Sequence, residues 1–187
     1  MRVTKEKAAE NRDRILSEAA RLFLERGVRG VGVEALGEAA GLTYGSLYSQ
    51  FGSKDQLLAE AVERAFTIFG AKFADVQDVN DYIDRYLSSE HRVNPGDGCV
   101  VAAIGPEISR QDSAVRSMFT NALARRIGRL AALMPHGRRR AKEDNALGVI
   151  ATIAGAMILA RAVDDPQLSD RILTSTRGWL KAAVSGP

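Results

Sequence analysis

Cysteine, tryptophan and histidine are scarce in this chain, with one Cys, one Trp and two His among 187 residues. A single cysteine, Cys99, excludes an intrachain disulfide and fits a reducing compartment. His91 and His136 stand alone, without the spacing of metal ligands, so no metal is expected. No Walker loop, dinucleotide fingerprint or nucleophile elbow occurs, and neither a cofactor nor a catalytic set is expected. Sustained alternation of apolar and polar positions is missing, which argues against any sheet. The longest apolar-rich stretch, Ala146 to Ala160, is short, rich in Gly and Ala, and flanked by Asp144 and Arg161. That is too little for a membrane span. The N-terminus has early charges and no apolar core of signal-peptide type. A soluble, cytoplasmic protein without a membrane partner is the expectation.

What is present suits a folded helical protein. Hydrophobic residues make up 45% and charged residues 26%, enough for a core and against disorder. The formal net charge is only +3. Residues 1–54 carry nine Lys/Arg and seven Asp/Glu, a difference of +2. Position matters more than the total: Arg2, Lys5, Lys7, Arg12 and Arg14 crowd the N-terminal arm and first helix, where they could neutralise phosphates or simply form a solvated face.

Apolar residues recur at helical spacing along almost the whole chain. Ile15, Leu16, Ala19, Leu22 and Phe23 mark a first helix ending at Gly27. Leu58, Ala61, Val62, Ala65, Phe66, Phe69 and Phe73 mark one helix over 55–74. Further helices are predicted over 79–89, 99–109 (with a break near Gly105-Pro106), 112–134, 141–163 and 168–184. Val93 to Gly98 is the clearest linker. On the 112–134 helix, Arg126 falls within the apolar stripe of Val115, Met118, Phe119, Ala122, Leu123, Ile127 and Leu130.

The densest information lies in Val33 to Lys54. Glu34 to Ala40 reads as a short helix, and Gly41 supplies the left-handed position that ends it. Leu42 plugs the corner, Thr43 offers a capping oxygen, and a second short helix places Leu47 and Phe51 on one inward face. Gly52 stops that helix. Ser53 to Gln56 form a capping box that starts the next. Two capped helices around a glycine turn are a helix-turn-helix, which sets one helix in the DNA major groove. The second helix contains no Lys or Arg, so bases would be read by hydroxyls, an amide and aromatic faces. Tyr44 and Ser46 would meet base edges, with Thr43 and Ser49 beside them, and Gly45 would let the backbone approach.

From Asn11 to Leu58, and above all in AAGLTYGSLYSQFGSKDQLL, the chain closely resembles the N-terminal domain of TetR-family transcriptional regulators. The resemblance covers about a quarter of the chain. Gly32 and Gly37 depart from it, standing where Ser or Thr and Ala are usual. It implies an all-α, nine-helix, two-domain TetR-like fold. A three-helix DNA-binding domain over 1–54 would precede an effector-binding and dimerisation domain over 55–187, joined through the 55–74 helix. It also implies phosphate contacts from Tyr48 and Lys54, and a homodimer on a palindromic double-stranded operator.

Small residues on the 141–163 helix, Gly148, Ala151, Thr152 and Gly155, would permit close helix contact across the dimer. Ile172, Thr176, Trp179 and Leu180 form the matching stripe on the last helix, and the two pairs would make a four-helix bundle. Family members usually bind a small molecule that weakens DNA binding. Candidate lining here comprises Phe66, Phe69, Phe73, Tyr86, Cys99, Val100, Ile104, Met118, Phe119 and Leu123, which suits an apolar or aromatic effector. The ligand itself is not identified. The reading is therefore a repressor released by an effector. Two alternatives stand beside it: an electrophile- or redox-responsive regulator sensing through Cys99 in the first turn of a helix, and a helical enzyme or carrier retaining a helix-turn-helix. Arg138-Arg139-Arg140 lies in a helix connection and reads as solvated.

Overall fold

The computed structural model describes residues 5–41, 44–135 and 137–185, with the side chains of Lys5, Ala8, Tyr44 and Ser46 outside that description. Among these residues the chain is all-α. Its helices are α1 (Lys5–Arg26), α2 (Val33–Ala40), α3 (Tyr44–Phe51), α4 (Lys54–Ala71), α5 (Val79–Tyr86), α6 (Ser89–Val93), α7 (Val100–Ile108), α8 (Ser113–Ala132), α9 (Arg139–Ala162) and α10 (Pro166–Ser185), with a 3-10 turn at Pro95–Asp97.

There are ten α-helices rather than nine. The chain expected to run as one helix to 89 breaks at Leu87, and Ser88 accepts a hydrogen bond from the His91 N–H to cap a new five-residue helix. Conversely, α7 runs unbroken through Pro106. The proline removes the donor that would bond the Ala102 carbonyl, and the helix ends two residues later.

Local chemistry accounts for the other boundaries. Gly41 adopts φ 64° and its N–H returns to the carbonyls of Glu38 and Gly37, closing α2. Gly32 caps the start of α2 with extended backbone and no side-chain bond. Ser53 Oγ accepts from the Gln56 N–H at 3.0 Å. Only that half of the capping box forms, because the Gln56 side chain turns to Glu60 instead. Asp112 caps α8 in the same way, through the Val115 N–H.

Helix α4 is the spine, packing on α1 over its first part and on α8 beyond. Two buried clusters meet along it. One gathers Ile15, Phe23, Leu36, Leu47, Phe51, Leu58 and Val62, and extends to Ile104 and Val115 of α7 and α8. The other gathers Phe69, Tyr82, Ile83, Tyr86, Cys99, Leu130, Ile153, Met157 and Leu173. Fully burying one such side chain contributes about 1.5–3 kcal/mol. Helix α9 is long and apolar enough to cross a membrane by length and composition. Its inner face of Ala146, Val149, Ile150, Ile153 and Met157 is instead buried in the second cluster.

Candidate DNA-binding surface and ligand cavity

Helix α3 sits on the first cluster through Leu47 and Phe51, both buried. Gly45, Ser49 and Gln50 are exposed on its other faces, and Tyr48 is half-buried. Leu42 and Thr43 lie outside the described residues, as do the side chains of Tyr44 and Ser46. Below α3 the cations of α1 are committed to the fold. The Arg12 guanidinium lies 4.3 Å from the centroid of the Phe51 ring and pairs with Glu60 at 2.8 Å. Arg14 donates to the Ala40 carbonyl at 3.1 Å, satisfying one of the end carbonyls of α2. Lys7 pairs with Glu10.

Lys54, at the first turn of α4, points its Nζ to the Val28 carbonyl at 3.1 Å. The Val28 N–H donates to Glu107 Oε2 at 3.0 Å, and the Arg29 N–H to the same oxygen at 3.3 Å. The turn between α1 and α2 is thus held from two sides, by the start of α4 and by the end of α7. Neither contact is visible at the level of sequence pattern, since the partners lie 26 and 79 residues apart.

Further along α4 a cavity of about 510 Å³ opens between α4 and α8, beside Tyr82 of α5. Phe66 and Phe69 line it from α4 and Phe73 from the turn that follows, with Arg126, Arg129 and Leu130 from α8 and Leu133 just past its end. Three of the expected lining residues are therefore there. Tyr86, Cys99, Val100 and Ile104 are instead fully buried behind the wall, and Met118, Phe119 and Leu123 are half-buried against the first cluster. Phe119 meets Phe66 edge-on at 5.6 Å.

Arg126 is the residue sequence pattern leaves unexplained. Only 4% exposed, it donates Nε to the Tyr82 hydroxyl at 2.9 Å and Nη1 to Cys99 Sγ at 2.8 Å. It also lies within 5.1–5.9 Å of the centroids of Phe69, Tyr86 and Tyr82. Cys99 caps α7 from a fully buried position, with its N–H donated to His91 Nε2. Burial, the largest influence, opposes ionisation of the thiol, and the Arg126 charge together with Tyr86, the Ala102 backbone and the Arg126 hydrogen bond outweighs it, so its pKa lies below the ordinary value. Burial pushes the Tyr82 and Tyr86 hydroxyls up. Burial also lowers the His91 pKa to about 4, with Arg161, Arg126 and Lys72 acting the same way against the Tyr86 carbonyl. Among the described residues no cluster suited to a metal occurs.

On the outer side of α9 and α10, Leu147, Ile158, Leu159, Leu168 and Trp179 are exposed, Trp179 to 63%. Gly148 and Ala151 are exposed, and Thr152, Gly155, Ile172 and Thr176 half-buried. Leu180 differs: it is 3% exposed and packs within its own subunit. Ile150, Ala154 and Met157 of α9 are likewise buried inside. An open groove of about 580 Å³ near the end of α10 is lined by Gly148, Thr152, Trp179 and Val184. Arg138, Arg139 and Arg140 are exposed, and Arg139 pairs with Glu143.

This arrangement is that of an all-α protein carrying a helix-turn-helix. The model of bacterial regulatory proteins of the tetR family matches residues 15–61, the part of the chain that holds the helix-turn-helix. The HTH-type transcriptional regulator TtgR of Pseudomonas putida is 30% identical over 95 residues, covering 51% of this chain and 40% of that protein. The chain thus aligns with about two fifths of that relative's length. The reduced form of NemR from E. coli superposes with a TM-score of 0.75 at 21% identity, over 92% of this chain and 96% of that one. A TetR-family regulator from Cytophaga hutchinsonii gives 0.74 at 20% identity, over 97% and 98%. The fold is shared along nearly the whole length, while the sequence likeness concentrates in the N-terminal part. The curated relatives it matches are named as HTH-type transcriptional regulators.

Proposed function

We propose that this chain is a cytoplasmic transcriptional repressor that binds a palindromic operator as a homodimer and is released by a small molecule held between α4 and α8. The carrying observation is the continuity of α4. One uninterrupted helix begins at Lys54, against the turn that leads into the helix-turn-helix, and ends in the aromatic wall of the cavity. A ligand that displaces Phe66, Phe69 or Phe73 therefore acts on the element that supports α3. For this to work the ligand must bind the non-DNA geometry better; about 1.4 kcal/mol of preference shifts the balance tenfold.

The exposed face of α3 would enter the major groove, with Gly45 and Ser49 near the bases and Tyr48 at a phosphate, beside Thr43, Tyr44 and Ser46. A second copy is called for by recognition length, since one such helix reads only a few base pairs. The apolar residues left exposed on α9 and α10 supply a surface for it. The domain division, with DNA binding up to residue 54 and ligand and dimer contacts beyond, follows from the same reading.

Footprinting on DNA flanking the chain's own gene, with light scattering in parallel, tests this. The expected result is a protected palindrome spanning roughly two major-groove turns, about 34–36 Å between recognition helices, bound by a dimer. A monomer that covers DNA without a discrete site would overturn it.

One observation favours a redox-responsive version: the Arg126 guanidinium stabilises a Cys99 thiolate. Complete burial of Cys99 works against it, because reactive cysteines are partly exposed. If Cys99→Ser releases the operator under oxidant as the unaltered chain does, that version fails.

A further inference from the structure

The cavity between α4 and α8 is walled by a buried cation, Arg126, with no carboxylate beside it. Every charged residue lining it is an arginine, Arg126 or Arg129, and no Asp or Glu lines it. A buried charge is retained at a cost unless something pairs with it. Arg126 Nε and Nη1 have their partners, but Nη2 is buried without any hydrogen-bond partner. One donor of a fixed guanidinium is therefore unused, on a residue that lines the cavity.

Arg129 lies three positions further along α8, on the same side. Its guanidinium occupies the space above Gly70 of α4, where a Cβ would lie only 2.9 Å from Nη2. A glycine at 70 thus leaves room for a second cation at the rim, itself exposed. The remaining wall is aromatic and aliphatic: Phe66, Phe69, Phe73 and Leu133. The neighbouring cavity beyond Phe69 and Phe73 has Glu90 and Asp97 as well as Lys72 and Arg85, so it lacks this one-sided charge.

We propose that the cavity takes a carboxylate carried on an apolar body, with the acid group on Arg126 and Arg129 and the body against Phe66, Phe69 and Phe73. A carboxylate accepts from a guanidinium in a planar, charge-assisted arrangement, and a cavity of about 510 Å³ is of the size that encloses a drug-sized molecule. This narrows the effector from any apolar or aromatic compound to an apolar acid, and it rests on the cavity being the effector site.

Calorimetric titration of the full chain with naphthoate and decanoate, each against its neutral amide, tests the charge requirement without any mutation. Both acids are expected to bind at least about tenfold more tightly than their amides. Arg129→Gln, at the exposed rim, should reduce the acid–amide preference severalfold, and Arg126→Met should abolish it. Equal binding of acid and amide by the unaltered chain would overturn the proposal. So would acid binding undiminished in both variants, or no binding of either acid at millimolar concentration. If Arg126→Met does not fold, the acid–amide comparison and Arg129→Gln still decide. A footprint run with the same ligands separates the two levels of inference. Acid binding that leaves the operator complex intact keeps the carboxylate site and refutes the effector reading; release by the amide as readily as by the acid does the reverse.

Discussion

The two buried clusters that meet along α4 are built on opposite rules. The N-terminal one is closed entirely by apolar side chains, among them Ile15, Phe23, Leu47 and Leu58. Its charges are kept outside and paired across helices, as in Arg12 with Glu60 and Arg64 with Asp13. The second encloses Arg126, Cys99 and the rings of Tyr82 and Tyr86, with His91 packed at 4.6 Å from Tyr86. A platform that only has to present α3 gains nothing from interior polar groups, which are costly unless satisfied. A site that must select a ligand needs a few of them, placed and held. The difference in construction therefore predicts a difference in response to mutation, strongest in the platform and weakest at the buried arginine.

The largest effect belongs to the platform. Leu47 is fully buried between α3 and its support, so Leu47→Ala should cost about 2–5 kcal/mol of stability. Because α3 is only eight residues long and cannot hold itself without packing, operator binding should be lost with it. Urea denaturation beside a binding titration checks both. A stable Leu47→Ala protein that still binds DNA would mean that α3 is not held by this cluster.

The second effect is confined to the polar cluster and appears only in acid. His91 donates Nδ1–H to the Tyr86 carbonyl at 2.7 Å and accepts the Cys99 N–H on Nε2 at 3.1 Å, a pairing that requires the neutral ring. Its pKa is about 4 in the folded chain against 6.5 as the ordinary value. The unfolded chain thus binds the proton first as pH falls. The contribution to stability is complete above pH 6.5 and is lost as pH falls toward 4, on the order of 3 kcal/mol in all. Denaturation midpoints across that range should slope for the unaltered chain and be flatter for His91→Gln. Parallel slopes would remove His91 from the account.

A smaller effect lies where the two regions touch. Val28 is held by Lys54 through its carbonyl and by Glu107 through its N–H. Lys54→Ala or Glu107→Ala should each cost about 1 kcal/mol. If Lys54 also meets a phosphate, its variant should weaken binding to all DNA sequences and flatten the salt dependence, whereas the Glu107 variant should leave the salt slope alone. Equal slopes in all three proteins would confine Lys54 to its structural role.

The same contrast explains which features were legible in the sequence. The helix-turn-helix was, because its signals are local: a left-handed Gly41, a capping Ser53, and Leu47 and Phe51 four residues apart. The aromatic wall was also readable from the spacing of Phe66, Phe69 and Phe73, although the helix ends at Ala71 and leaves Phe73 in the turn beyond it. Helix α6 was not, since five residues cannot display a period and its Ser88 cap resembles any loop serine. Arg126 could be seen to sit in an apolar stripe, yet its meaning depends on Cys99 and Tyr82, which are 27 and 44 residues away. The extended lining failed for a related reason. Helical spacing shows that Tyr86 or Ile104 faces inward, but not whether inward means a cavity or a packed core.

The smallest expected change in stability, and the one that best sharpens the comparison, is at Arg126 itself. A buried cation without a carboxylate partner is held at a desolvation cost, which offsets the hydrogen bonds it makes, so Arg126→Met should change stability at neutral pH by no more than about 1 kcal/mol. The Tyr82 hydroxyl loses a donor, while the aromatic rings keep an apolar neighbour. The chemical consequence is larger than the energetic one. Without the guanidinium, burial is opposed only by Tyr86 and the Ala102 backbone, and the Cys99 pKa should rise. The stabilisation that Arg126 gives the thiolate is fully present only above the unfolded thiol's pKa, and it is lost as pH falls through the folded one. Loss of Arg126 should therefore be felt increasingly as the solution is made alkaline. Titration of thiolate absorbance in both proteins, with Cys99→Ser as the blank, measures the shift directly. A titration that does not move between the unaltered chain and Arg126→Met would mean that the guanidinium does not act as the thiol's counter-charge, and the polar cluster would lose its central member.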